Sequence, residues 1–434
     1  MADNDTKKRP RGLKKSTIVA SSSSGTVPIV NSPPEEVTSA KKPRLGENEE
    51  SEDETQTLIL NKEVEEGDEV AEVKVIYESA AEKLATAPKS ALPLLRGTIH
   101  ECDRILRNHS ASSPPLPASF HMTYGSALFD MGTVLEEEED PTPYWEAARE
   151  RLEIGLESVE ESEAEENKSD RQEFKKGLRM ALGKVMVSKA TNTLITTRCL
   201  TAVHKKSVSQ LLEDATAHFD KAFSLPFSPS TAPELCMAAS LVQLHADNHE
   251  EEAPRLRWNG WAKGVFERAL KDDPEHIPAF TGIGSCLLSI ANYWLEQQDA
   301  NGGDEDEDDD DDDDGDDGEE KVQTKEKRTA KEALVEGTDY FERALAASES
   351  AGATTSEILT MLAESQINLA NLTSDVGGTQ TALYKCAVAH LRRAKESNSS
   401  EGWALPAGLE TFLDEWEAEM VEGEGVDDDE DGEE

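Results

Sequence analysis

Ala262, Phe266 and Ala269 stand at i, i+4 and i+7, so on a helix they share one face, where a large ring lies between two small residues. Another helix can come close to a face of that shape. Pro274 follows five residues on; it lacks a backbone N–H and clashes with the preceding turn, so the helix stops before it and the chain turns. Phe280, Ile283, Gly284 and Leu287 then mark a second helix, with Gly284 where a neighbouring backbone can approach. The stretch from Trp261 to Leu288 therefore predicts two amphipathic helices and the turn between them.

The same small-large-small spacing recurs at Ala148-Leu152-Gly155, Ala215-Phe219-Ala222, Gly337-Phe341-Ala344 and Ala387-Leu391-Ala394. Counted from 148 through 215, 262, 337 and 387, the steps are 67, 47, 75 and 50 residues, so no fixed period survives. The organising unit resembles the junction between successive tetratricopeptide repeats. The expected fold is all-α, an irregular helical-repeat (tetratricopeptide-like) solenoid with a disordered basic leader and acidic insertions. Helical spacing begins near Glu69 and puts Leu92, Leu95, Ile99, Cys102 and Leu106 on one broad face. Further helices are expected at 171–201, 205–223, 233–248, 357–372 and about 406–420, the last a cap carrying Leu409, Phe412, Leu413 and Trp416.

Charge sets the organisation around these helices. Residues 1–68 mix Ser, Pro, Lys and Glu without periodicity and read as a disordered leader. Residues 1–45 carry nine basic and four acidic side chains, a local +5 in a chain of formal charge -47. Lys7, Lys8, Arg9, Arg11, Lys14 and Lys15 have the density of a nuclear import signal read by an importin, the alternative being a solubilising tail. Residues 69–298 form the first part of the helical-repeat domain and 322–420 the second, separated by an acidic insertion at 299–321 and followed by an acidic tail at 421–434. Fifteen of the seventeen residues from 304 to 320 are acidic, a run that repels itself. The net charge argues against direct nucleic-acid binding and for basic partners, and no window is apolar enough to span a membrane. Cys102, Cys199, Cys236, Cys286 and Cys386 are scattered in apolar or helical contexts and read as reduced, buried thiols.

A search for chemistry yields no active site and no cofactor site. No glycine loop is followed by the Lys-Ser/Thr pair that cradles phosphate. His245 and His249, spaced i, i+4 with Asp247 and Glu250 nearby, are the best metal candidate, but no third ligand is linked to them by a motif. His100 and Cys102 point about 200° apart on a helix and make a poor catalytic pair. The positions singled out as repeat packing are Ala262, Phe266, Ala269, Pro274, Phe280 and Gly284, with Trp258 and Trp261 flanking them as core residues or partner anchors.

Two strings carry a family resemblance, Lys8-Arg9-Pro10-Arg11-Gly12-Leu13-Lys14-Lys15 and Ile99-His100-Glu101-Cys102-Asp103-Arg104-Ile105-Leu106-Arg107. With the order of basic leader, helical body and acidic insertions, the chain resembles the fungal enhancer of translation termination family, which includes the negative regulator of a nuclear prolyl-hydroxylase-like oxygenase. The resemblance implies a non-catalytic nuclear adaptor needed for accurate translation termination and linked to gene regulation. It also implies a partner, a 2-oxoglutarate-dependent prolyl hydroxylase that acts on a ribosomal protein and holds the metal itself. An acidic chaperone for histones or ribosomal proteins is the alternative that the charge runs support. An enzyme without a recognisable site is the third class.

Overall fold

The computed structural model describes residues 67–424, except 111, 136–138, 162–167, 198–200, 226–228, 302–324, 354, 375 and 398–403. Among these residues there are thirteen α-helices, one short 3-10 turn at Val376–Gly378, and no strand. Residues 1–66 with the basic cluster, the acidic run at 304–320 and residues 425–434 of the acidic tail lie outside the described residues.

Residues 67–109 form a unit of their own, a division that falls inside the stretch the sequence assigns to one repeat domain. It is a hairpin of α1 (Glu69–Leu84) and α2 (Pro88–Asn108). The Asp68 carboxylate caps α1 by accepting from the Ala71 amide, satisfying one of the donors a helix start leaves open. The face of α2 turned inward consists of Ala91, Leu94, Leu95, Thr98, Cys102 and Ile105. This differs from the predicted face, because Leu92, Ile99 and Leu106 lie on its half-buried flank. The Arg104 guanidinium spans Glu101 of its own helix at 2.6 Å and Glu69 at the start of α1 at 2.9 Å.

From Ser110 onward the chain builds five helical hairpins and a final helix. They are α3 (Ala118–Thr133) with α4 (Thr142–Glu161), α5 (Lys168–Thr196) with α6 (Ala202–Phe223), α7 (Ala232–Asp247) with α8 (Glu252–Asp272), α9 (Ile277–Asn301) with α10 (Lys325–Ala351), and α11 (Ser356–Asn371) with α12 (Thr379–Ser397). Each first helix also touches the first helix of the next hairpin, so contacts run between neighbours in sequence, as in a solenoid. The last helix, α13 (Ala407–Glu424), closes the end, with Leu409, Phe412 and Leu413 buried against Ile367, Ala387 and Leu391 and Trp416 packed beside them.

All five small-large-small strings fall on second helices, and their central residues Leu152, Phe219, Phe266, Phe341 and Leu391 are fully buried. Four of the five lie over a glycine of a first helix. A Cβ on Gly125 would stand 2.6 Å from Leu152, and one on Gly284 2.6 Å from Phe341. Phe219 fills the same space at Gly183, and Phe266 at Gly282. α9 thus takes a phenylalanine from the helix before it and another from the helix after it.

Local signals set the helix ends. Asp273 precedes Pro274 and is extended (φ -136, ψ 94), which stops α8 at Asp272. A reciprocal capping box between Thr231 and Glu234 starts α7. Cys102, Cys236 and Cys286 are buried, but Cys386 is exposed, contrary to expectation; α12 buries Ala387, Leu391 and Ala394, which turns its neighbour outward. Cys199 lies outside the described residues.

Candidate interaction face

Apart from α5, the first helices of the hairpins are poor in charge. α9 holds two charged residues in 25, Glu296 and Asp299, where its partner α10 holds eleven in 27. α7 holds two in 16 where α8 holds eight in 21, and α3 holds one in 16 where α4 holds eight in 20. Since 31% of the whole chain is charged, that contrast marks two surfaces of different character.

Most of the circumference of each first helix is covered by its hairpin partner and by the neighbouring first helices. What remains is a narrow stripe at i, i+3 or i+4, and i+7. On α7 the stripe is Met237, Ser240, Leu241 and Leu244, with Leu244 41% exposed. On α5 it runs through Phe174, Ala181, Lys184, Ser188 and Ile195, with Ile195 61% exposed. On α3 it is Met122, Ser126 and Phe129, all half-buried. Phe174, Ile195 and Leu244 are the exposed large apolar side chains on these stripes, and the half-buried ones beside them make this face a candidate contact surface.

Polar contacts register these helices side by side. The Thr191 hydroxyl of α5 lies 3.0 Å from Nδ1 of His245 on α7. Between α7 and α9 the Ser289 hydroxyl donates to the Asp247 carboxylate, and the Asn259 amide of α8 donates to Ser289 at 3.2 Å. Burial pushes the Asp247 carboxyl up, against the opposing pull of Ser289 and Arg255. Between α9 and α11 the Asn292 amide donates to Glu364 at 3.2 Å and accepts from Asn368 at 2.9 Å. Glu364 is 6% exposed, and burial pushes its carboxyl up to about 7, with the Asn292 bond pulling the other way.

α5 is the exception among first helices, because it is basic. Arg171 donates to the carbonyls of Val159 and Glu160 at 2.8 and 3.2 Å. Lys175 and Arg179 meet Glu160 at 3.0 and 2.8 Å, Lys176 meets Glu173 and Glu234 at 3.1 Å each, and Lys189 meets Glu146 at 2.8 Å. Lys184 has no such ion pair among the described residues. Burial pulls its ammonium down, and Asp130 of α3 and Glu234 of α7 act on it in the opposite sense through space.

The residues singled out from sequence are placed as follows. Lys7, Lys8, Arg9, Arg11, Lys14 and Lys15 lie outside the described residues. Ala262, Phe266 and Ala269 line the buried side of α8; Pro274 sits in the exposed turn after it; Phe280 packs beside Ala344 and Ile358; and Gly284 receives Phe341. Trp258 is buried, and the Trp261 ring stands 6.1 Å from that of Phe219. Nε2 of His245 and Nε2 of His249 are 3.0 Å apart, but Asp247 is turned to Ser289, and among the described residues no group of three or more His, Cys, Asp or Glu is placed to hold a metal. Burial lowers the His245 imidazole to about 3, with His249 adding to the effect. His100 is exposed while Cys102 is buried, so the two do not meet. The sequence reading missed the stripe itself, although the low charge of the first helices relative to their partners was there to be counted.

A family model described as nuclear pore complex subunit Nro1 matches residues 36–225. Enhancer of translation termination 1 of Candida albicans is 37% identical over 103 residues, 23% of this chain and 24% of that protein. The match therefore spans about a quarter of the length of such curated relatives. The Schizosaccharomyces pombe protein named negative regulator of ofd1 is 37% identical over 120 residues, 26% of this chain and 29% of its own. Enhancer of translation termination 1 of Yarrowia lipolytica is 24% identical over 80% of this chain and 86% of its own. A solved structure of the S. pombe nuclear import adaptor Nro1 shares the fold, with a TM-score of 0.50, 20% identity, and coverage of 80% of this chain and 99% of that one. The chain is thus similar over residues 36–225 to the family described as nuclear pore complex subunit Nro1 and in parts to the fungal proteins named enhancer of translation termination 1, and it shares its all-α repeat fold with the solved S. pombe Nro1.

Proposed function

We propose that this chain is a non-catalytic nuclear adaptor that seats a protein partner on the charge-poor face of its first helices. The observation that carries the reading is the contrast within the α3–α4, α7–α8 and α9–α10 hairpins: an uncharged α7 stripe of half-buried Met237 and Leu241 and exposed Leu244, backed by a second helix dense in charge. Apolar contact supplies affinity without being screened by salt, and methionine stripes adapt to the shape of what they cover. The S. pombe relatives, named as a negative regulator of ofd1 and as a nuclear import adaptor, support a 2-oxoglutarate-dependent prolyl-hydroxylase-like oxygenase as the partner. The other relatives' names support a role in translation termination. In this reading an importin engages the basic leader, and ribosomal proteins are secondary clients.

The test replaces Met237 and Leu241, both half-buried on the stripe, together with Glu. The oxygenase should no longer co-purify, while circular dichroism stays helical. Retention of the oxygenase would refute the assignment of the face. Separately, changing Lys7, Lys8, Arg9 and Arg11 to Ala should leave a fluorescent fusion in the cytoplasm; a fully nuclear variant would show that the leader is not the main signal.

A second reading, an acidic chaperone for histones or ribosomal proteins, draws on the fifteen acids between 304 and 320. Those acids would screen basic clients, and such binding would weaken steeply with salt.

A further inference from the structure

Resting on the adaptor reading, we propose that the first-helix face holds its partner as an extended peptide whose main chain pairs with a row of four asparagines, Asn192, Asn248, Asn292 and Asn368. One stands on each of four successive first helices: Asn192 in α5, Asn248 as the C-cap of α7, Asn292 in α9 and Asn368 in α11. Asn192 falls between Ser188 and Ile195 on the α5 stripe, and Asn248, four residues past Leu244, continues that of α7.

Contacts between the helices bring these residues to a common level. Thr191 meets His245 at 3.0 Å, which sets Asn192 beside the end of α7. Asp247, next to Asn248, accepts from Ser289, one turn before Asn292. The Asn368 amide donates to Asn292 at 2.9 Å, and seven residues earlier on both helices the Ser285 hydroxyl meets the Met361 sulfur at 3.3 Å. The α9 and α11 stripes therefore run side by side.

The state of the amides identifies the occupant. Each has two N–H donors and an oxygen with two lone pairs. Among the described residues the Asn192 side chain makes no hydrogen bond. Asn248 uses one N–H on the Leu244 carbonyl and Asn368 one on Asn292, and both keep their acceptor. Asn292 uses one N–H on Glu364 and one lone pair on Asn368. Covering these groups with an apolar helix would take them from water without replacing their hydrogen bonds, because a helix satisfies its main chain internally. An extended segment has main-chain N–H and C=O groups to offer, and one asparagine amide can donate to the second and accept from the first. Neighbouring helices lie about 8–10 Å apart and an extended chain advances about 3.3 Å per residue, so roughly three residues pass between successive asparagines and about ten span all four. A nucleic acid does not fit, since α7, α9 and α11 contain no lysine or arginine to meet a phosphate.

The test selects from a displayed library of random twelve-residue peptides on the full chain at physiological salt. Each amide of a selected peptide is then replaced by an ester, which removes the N–H and keeps the shape of the chain. At least two esters, roughly three residues apart, should weaken binding about fivefold each, the worth of one hydrogen bond. Asn192→Ala removes no hydrogen bond of the described residues and adds a better helix former, so its helical spectrum should match wild type. It should weaken the parent peptide about fivefold, and one of the two esters should then have no further effect. Asn368→Ala should do the same for the other ester. Met237→Glu should lose the peptides altogether, which places them on this face. If Met237→Glu loses them but no ester weakens binding, or Asn192→Ala and Asn368→Ala bind as wild type, the main-chain inference fails and the adaptor face stands. If nothing is enriched, or Met237→Glu binds the selected peptides as well as wild type, the inference fails too, and the adaptor reading is decided by whether the oxygenase co-purifies.

Discussion

Among the described residues the Glu364 carboxyl meets an asparagine and no cation, and its titration follows from that position. Its ordinary value is 4.5 and burial raises it to about 7, so between those values the folded chain holds a proton the unfolded chain has lost. Stability therefore falls as pH rises from about 4.5 to about 7, by about 3 kcal/mol at most. Glu364→Gln keeps the acceptor for Asn292 and cannot ionise. It should match wild type at pH 4.5 and be more stable by about 1 to 3 kcal/mol at pH 8, measured by urea melts. A difference between the two proteins that does not change with pH would contradict this. His245 and His249 act in the opposite sense, since burial lowers both, and stability they lend is lost as pH falls below 6.5; that loss is common to both proteins and cancels. Nothing in the sequence marks Glu364, one acid among 91, because its distinction lies in what α9 brings against it. Lys184 left a trace: it interrupts the apolar run from Met180 to Val187, where a solvated lysine is out of place.

At the scale of the helix, α9 is the element that cannot be altered on either side. A Cβ at Gly284 would meet the ring of the fully buried Phe341, which has no space to retreat into. Gly284→Ala should cost about 1 to 3 kcal/mol despite the better helix propensity of alanine. Gly260 and Gly264 of α8 are also helical, yet a Cβ on either would have nothing within 4 Å. Alanine at those two positions should stabilise by about 0.5 to 1 kcal/mol, and a thermal melt giving all three variants the same sign would remove the packing argument. The helices themselves were legible, because 3.6-residue periodicity and breakers such as Pro274 act locally. The roles of Gly284, Gly282, Gly183 and Gly125 were not, since each takes a phenylalanine or leucine from another helix; the sequence marked Gly284 only as a place where a neighbouring backbone could approach. The outward turn of Cys386 and the true inner face of α2 escaped similarly: an apolar residue fixes a stripe only to within one position.

At the scale of the whole molecule, the acidic run separates the two functional readings. Removing 304–320 takes away fifteen negative charges and no apolar side chain. Shortening a tether changes its closure entropy by only about 0.6 kcal/mol per halving of length, so the melting transition should hardly move. A partner held on the first-helix face should survive the deletion and withstand added salt, whereas a basic client held by the run should be lost and be salt-sensitive. Loss of the oxygenase on deletion, with the helical spectrum unchanged, would favour the chaperone instead. The alternation of charge-poor and charge-rich helices was in principle readable, but assigning it to faces required knowing which helices pair. That pairing has one more consequence. α9 and α10 clasp each other through Phe341 on Gly284, and the Gly337 site lies against the Gly284 carbonyl, none of which depends on the peptide bonds between Asn301 and Lys325. A protease site placed near residue 310 should therefore yield two polypeptides that still migrate as one particle, and the halves made as separate genes should find each other unaided.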